Sequence, residues 1–248
     1  MISKKRFNEI LSQFNKIDPL LIIGDIGVDK YTKGHVKRIS PEAPVPIVEV
    51  YEEWNKLGLA ANVSDNLKSF GVQSTLCGII GNDANGNCLE NLLEEQGLST
   101  WGILRGQNRM TTFKERIVTD VQQVCRVDYE TKTDLDDEIF ERFIKRISEF
   151  AAGHSAVVLE DYGKGIFNAK FMPELISVLN SHNLFISVDP SRTTNPLLYK
   201  GVNLLKPNRI ESEIIVQKLG YPEKKIDKMA EILIDKLELE KLIITLGA

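Results

Sequence analysis

The sequence has 248 residues, 42% hydrophobic and 27% charged, with 17 Gly and 9 Pro. That composition gives a globular chain with enough apolar residues for a substantial core, and excludes a disordered, collagen-like or disulfide-stapled one. A net charge of −4 argues against a nucleic-acid binder, which carries a basic face. Cys77, Cys88 and Cys125 form no C-x-x-C pair and are expected as reduced thiols of a cytoplasmic protein; His35, His154 and His182 are too scattered for a zinc site.

In chain order, the opening MISKKRFNEILSQF is broken by charges and is neither a signal peptide nor a membrane span, so no membrane partner is expected. Residues 20–23 form the first of several short apolar runs. Residues 31–53 break the pattern, with Pro41, Pro44 and Pro46 before an alternating run over 46–51. Residues 60–70 read as a helix stopped by Gly71, and 87–96 as another stopped by Gly97. Residues 111–129 alternate again, with a turn at 119–121. An acidic first turn at Asp134, Asp136 and Asp137 introduces a helix carrying Ile139, Phe140, Phe143, Ile144 and Ile147 on one face. Apolar runs follow at 156–159 and 184–188, a weaker one at 202–205, an amphipathic helix over 226–237, and a last run at 242–246. Continuous apolar runs fit strands buried on both faces of a parallel sheet. Alternating with helices, they indicate an α/β sandwich. The two alternating regions, around 31–55 and 109–129, are expected to form a small antiparallel sheet projecting from that body, as a lid or a dimer contact.

Ligands of open α/β sheets bind beyond the carboxyl ends of the strands. Here those ends carry GDIGVD (24–29), EDYGKG (160–165), DP (189–190), KPNRIE (206–211) and a final Gly247. Turns use such residues anyway, but five ends together point to a site for phosphate and a hard cation such as magnesium. No G-x-x-x-x-G-K-[ST], G-x-G-x-x-G, protein-kinase set or G-x-S-x-G occurs, so P-loop, Rossmann dinucleotide, protein-kinase and α/β-hydrolase chemistries are set aside.

These segments, with RISPEAPVP (38–46), GLAAN (58–62), GNDANG (81–86) and TLG (245–247), resemble the ribokinase-like (PfkB) carbohydrate kinases along nearly the whole chain. The segment 38–46, with TTFKER (111–116) and QQVCRVD (122–128), resembles the heptose-7-phosphate kinase branch. The resemblance implies a ribokinase-like three-layer α/β/α sandwich with a mainly parallel central sheet and a small β-sheet lid. It implies ATP and Mg2+ as cofactors, a sugar phosphate as substrate and a homodimer formed through the lids. The reaction would be phosphoryl transfer to the anomeric hydroxyl of heptose 7-phosphate, for ADP-heptose and lipopolysaccharide precursors. Asp29 and Asn62 would touch the sugar, Asn62 reading equally as a helix N-cap. Asp161 would line the same side, and Lys114, Arg116, Arg126 or Lys164 would anchor the phosphate, each reading singly as a solvated charge. Asn208 and Glu211 would organise the ATP phosphates and, through water, magnesium; their N-x-x-E spacing also fits a capping box. Thr245 and Gly247 would line the nucleotide.

Two departures stand out. Where the family has paired glycines before the Asn62 helix, Gly58 is followed by Leu59, which resists positive φ. The G-A-G-D motif carrying the family's catalytic base does not occur, and the chain is expected to be an incomplete domain cut before it, with Asp161 or Asp189 as a substitute base. The competing expectations are a non-catalytic sugar-phosphate-binding remnant and a kinase of fructose, ribose or a nucleoside.

Overall fold

The computed structural model describes residues 2–14 and 16–247. Helix α1 (Lys4–Phe14) leads to β1 (Leu20–Gly24), buried from its second residue onward. Two long strands follow, β2 (Ile26–Ile39) and β3 (Pro46–Leu59), then α2 (Ala60–Ser69), β4 (Ser74–Gly81), α3 (Ala84–Glu95) and β5 (Ile103–Gly106). Next come β6 (Thr112–Val118), β7 (Gln123–Tyr129), α4 (Asp137–Ala151), β8 (Ala156–Glu160), α5 (Phe171–Ser181) and β9 (Phe185–Asp189). A 3-10 turn (Pro196–Tyr199), β10 (Leu204–Leu205), α6 (Arg209–Lys218), α7 (Ile226–Leu237) and β11 (Lys241–Leu242) complete the order.

Seven strands form one parallel sheet in the order β11-β10-β9-β8-β1-β4-β5. Residues of β1 alternate between its faces. Leu21 and Ile23 join the core under α4, α5, α6 and α7, and Ile22 joins the one under α2 and α3. Burial on both faces is why β1 reads as a continuous apolar run. The same rule hid β4, because Gly78 interrupts its run: a Cβ there would lie 2.7 Å from the Ile26 side chain, so close packing requires the glycine.

The other four strands form the lid, in the order β3-β2-β6-β7, with β2 and β6 parallel and the outer pairs antiparallel. The lid starts earlier than the sequence suggests. Except for Asp25, the segment 24–29 is strand rather than loop, so Asp29 lies within β2. The helix expected over 87–96 starts at Ala84, capped by Asp83, whose Oδ1 accepts from Gly86 N at 2.8 Å. Of Asp134, Asp136 and Asp137, Asp136 is the N-cap of α4 and Asp134 precedes it. The run 242–246 is not a buried strand. Only Lys241–Leu242 pairs in β11, Thr245 makes a single bridge to Asn208, and Ile243 and Leu246 are exposed. Among the described residues no helix is long and apolar enough to cross a membrane.

Candidate active site

Strand order reverses between β1 and β8: the chain runs from β1 outward through β4 and β5, then returns to β8 on the other side. Such a switch point opens a crevice at the strands' carboxyl ends. Here a cleft of about 700 Å³ lies beside it, its wall including Asp161, Lys164, Asp189, Lys206, Asn208, Glu211 and Thr245.

Asp25 sits at the switch point, 2% exposed. Its Oδ2 accepts from the backbone N–H groups of Tyr162 (2.9 Å) and Lys164 (3.2 Å), pinning the loop after β8, while Oδ1 is buried with no hydrogen-bond partner among the described residues. Burial, with the charge of Asp161 added, pushes its carboxyl up to about 7. Glu160, buried beside Asp189 on the neighbouring strand, is likewise pushed to about 7 by burial and then by Asp189. Lys206 Nζ meets Asp189 Oδ2 at 2.8 Å.

Asp161 reaches the cleft wall, but its Oδ1 accepts from Gly163 N (2.7 Å) and its Oδ2 from Thr194 Oγ1 and Tyr199 OH (both 2.7 Å). Three of a carboxylate's roughly four acceptor sites are thereby taken within the protein. Burial raises its pKa against these bonds. Asp161 thus lines the cleft while most of its acceptor capacity shapes the loop.

At the other end, Asn208 caps α6 in a full capping box. Its Oδ1 accepts from Glu211 N (2.9 Å), and Glu211 Oε2 accepts from Asn208 N (2.8 Å). The Oε1 of Glu211 lies 3.6 Å from Arg192 Nε. The box leaves Asn208 Nδ2 and Glu211 Oε1 outside it. Arg209 N donates to Thr245 O at 3.0 Å, fixing Thr245 beside this helix start. Gly247 has φ 78° and lies beyond the cleft-lining residues. Lys218 Nζ donates to the carbonyls of Arg192 (2.7 Å), Thr193 (2.9 Å) and Thr194 (3.1 Å), holding the loop over the cleft.

The lid brings four of the expected residues together. Asp29, Lys114 and Asp128 are successive cross-strand neighbours on β2, β6 and β7, and Arg116 pairs with Arg126 one step along the same face. Arg116 Nη1 lies 2.7 Å from Asp29 Oδ1, and Arg126 grips Asp128 at 2.7 and 2.8 Å. Lys164 faces them from the body and pairs with Glu130. Burial raises the Glu130 carboxyl, but hydrogen bonds from Lys132 and Lys164 outweigh it and hold the group at about 2.

Asn62 is exposed in the first turn of α2 and outside the cleft-lining residues. The N-cap of α2 is Leu59, so Asn62 is not the cap. Leu59 adopts φ 58° and ψ −135°, a conformation normally left to glycine. The chain thus keeps the glycine-like backbone with a leucine and carries the strain.

Asp25, Glu160 and Lys206 fell within the strand-end segments without being given individual roles, and Arg192 was missed. Glu160 and Lys206 were accessible through the strand-end rule, since each ends or follows a strand of the main sheet. Nothing local marks Arg192, which is placed by the loop that Lys218 holds.

Solved structures of similar shape place this architecture among ribokinase-like proteins. The tetrameric inhibited form of phosphofructokinase-2 from Escherichia coli matches with TM-score 0.71 and 16% identity, over 93% of this chain and 74% of that one. Arabidopsis thaliana ribokinase complexed with ribose and ATP matches with TM-score 0.65 and 14% identity, over 93% and 72%. Residues 38–248 match the profile of the pfkB family carbohydrate kinases, and the chain belongs to that family. The bifunctional protein HldE of Helicobacter acinonychis is 39% identical over 194 residues, 78% of this chain and 42% of that protein. The chain spans about half the length of the relatives it matches, 49% of the Helicobacter pylori protein of the same name.

Proposed function

We propose that this chain serves ATP-dependent phosphoryl transfer to the anomeric hydroxyl of a sugar phosphate, heptose 7-phosphate, giving heptose 1,7-bisphosphate for ADP-heptose and lipopolysaccharide precursors. One observation carries this reading: the lid face bearing Asp29, Lys114, Arg116 and Arg126 meets the loop of Tyr162 and Lys164 through Lys114, and that loop walls a cleft that also gathers Lys206, Asn208, Glu211 and Thr245. A polyol with an anionic end suits the first group, since carboxylates accept from hydroxyls and cations hold phosphate. The second group suits a nucleotide polyphosphate: the N-terminus of α6 and the Lys206 ammonium both favour anions. The relationship to HldE proteins over most of the chain supports the choice of heptose phosphate.

Among the described residues no cluster of three or more His, Cys, Asp or Glu side chains forms a metal cage. The single carboxylate of Glu211 at the start of α6 fits magnesium, which keeps its waters and binds through one or two carboxylates and substrate phosphates. Glu211, with Asn208 through water, would hold it, and the ion would neutralise phosphate charge during transfer. The chain's own residues position the reactants. Asp29 orients the sugar, the loop pinned by Asp25 and Asp161 shapes the cleft, and the lid excludes water when it closes. Pairing of two lids through exposed Val36, Ile39, Val50 and Tyr51 would form a homodimer.

The test is titration calorimetry of the chain with ATP–Mg2+ and with heptose 7-phosphate, alongside ADP release in their joint presence. Saturable binding of both is expected, with Asp161 or Asp189 as the candidate acceptor of the hydroxyl proton in any sugar-dependent ADP release. Failure to bind heptose 7-phosphate while ribose or fructose binds would overturn the substrate assignment.

A further inference from the structure

Around the lid face Lys114, Arg116, Arg126 and Lys164 meet Asp29, Asp128 and Glu130, and the pairing is uneven. Arg116 is committed to Asp29, Arg126 to Asp128 and Lys164 to Glu130. Lys114 has no carboxylate within ion-pair distance and no side-chain hydrogen bond among the described residues, although its cross-strand neighbours on both sides are Asp29 and Asp128. Each of those acids is spent on an arginine. The ammonium of Lys114 lies 5.7 Å from the centre of the Tyr162 ring, on the cleft side of the lid.

From this geometry we infer that Lys114 is the specificity-determining anchor for the phosphate of the substrate, the cation left unpaired so that the incoming anion completes it. The inference rests on, and deepens, the sugar-phosphate reading above. A half-buried ammonium without a counter-ion is costly to keep charged. Burial and then the nearby Lys164 hold Lys114 below the usual lysine range, opposed by Asp29 and Asp128. A phosphate ester, carrying nearly two negative charges at neutral pH, reverses that environment and accepts all the hydrogen bonds the ammonium offers. The arginines gain less from an incoming anion, because each is already charge-compensated by a carboxylate at 2.7 Å.

Spacing supports the same assignment. Asp29 and Lys114 are directly paired on adjacent strands, about 5 Å apart along the ladder. A single sugar can therefore place a hydroxyl at Asp29 and its phosphate at Lys114. Gly58 leaves the Asp29 carboxyl open on that side, since a Cβ there would lie 3.2 Å from Asp29 Cγ. Lys114 thus separates phosphorylated from free sugars, while Asp29 reads hydroxyls common to both.

The experiment is calorimetry of the chain and its Lys114→Met and Lys114→Arg variants. The probes are heptose 7-phosphate, the same heptose without phosphate, fructose 6-phosphate and fructose; circular dichroism melts check each fold. The parent is expected to favour a phosphorylated sugar over its free form at least ~10-fold, the scale of one charge-assisted contact. Lys114→Met should abolish that preference and leave free-sugar affinity unchanged, and Lys114→Arg should restore most of it. A Lys114→Met protein that keeps the preference overturns the inference. If the preference depends on Lys114 but only fructose 6-phosphate shows it, the anchor stands and the heptose assignment falls. A parent with no preference for any phosphorylated sugar overturns both.

Discussion

Asp25 gives the sharpest quantitative expectation. The folded chain holds its proton up to about pH 7, against a reference of 3.8. Between those values the folded state binds more protons than the unfolded chain, so stability is fullest below about pH 4, falls as pH rises, and levels off above 7. Between pH 5.5 and 8 the loss from Asp25 alone is about 2 kcal/mol at 1.36 kcal/mol per unit, or roughly 4–8 °C in Tm for a chain of this size. Asp25→Asn keeps an oxygen for the N–H groups of Tyr162 and Lys164 and removes the charge. Its amide nitrogen takes the place of the orphaned Oδ1, at a cost of about 1–3 kcal/mol. The variant should therefore melt lower than the parent at pH 5.5 and converge on it by pH 8. Glu160, lifted from 4.5 to about 7, leaves a residual slope in both proteins. Thermal melts at half-unit pH steps read this directly. An Asp25→Asn protein that loses as much Tm between pH 5.5 and 8 as the parent would refute the reasoning.

Three further predictions follow from named contacts. At Leu59 the positive φ reverses the usual order of small residues: Leu59→Gly should be more stable than Leu59→Ala by about 1–2 kcal/mol in denaturant melts, and equal midpoints would show no strain there. Asp83→Ala removes acceptors from Gly86 N and Thr111 N (both 2.8 Å), tying α3 to the start of lid strand β6; a loss of about 2 kcal/mol is expected, with faster amide exchange at Thr111. Glu211→Gln keeps an oxygen for Asn208 N, so the melting midpoint should hold within about 0.5 kcal/mol while ATP affinity in Mg2+ falls; a collapse in stability would mean the side chain is structural alone.

Much of the fold was legible because its signals are local. The run at 20–23 is a strand buried on both faces, that at 156–159 a strand buried on one face and partly covered on the other, and the spacing of Ile139, Phe143 and Ile147 is the inner stripe of α4. Where tertiary packing replaced a side chain by space, the pattern failed, as at Gly78 in β4. The last apolar run misled for the opposite reason: Ile243 and Leu246 are apolar without being covered. In the site, motif residues Asn208, Glu211 and Thr245 came together as their order implied. Asp161 lines the cleft but gives three of its acceptor contacts to Gly163, Thr194 and Tyr199, because residue type does not say which neighbour a carboxylate will satisfy.

Composition, periodicity and motif order determined the class of this protein: a parallel α/β body, a β lid and a basic lid face, since each follows from residue type repeated at a fixed spacing. Which charges are free was decided only in three dimensions. Lys114, Arg116 and Arg126 are equivalent as letters. Strand register sets Asp29 and Asp128 on either side of Lys114, yet Arg116 reaches Asp29 across the strands and Arg126 takes Asp128 two residues along its own strand, because ion pairing depends on side-chain reach of a few ångströms.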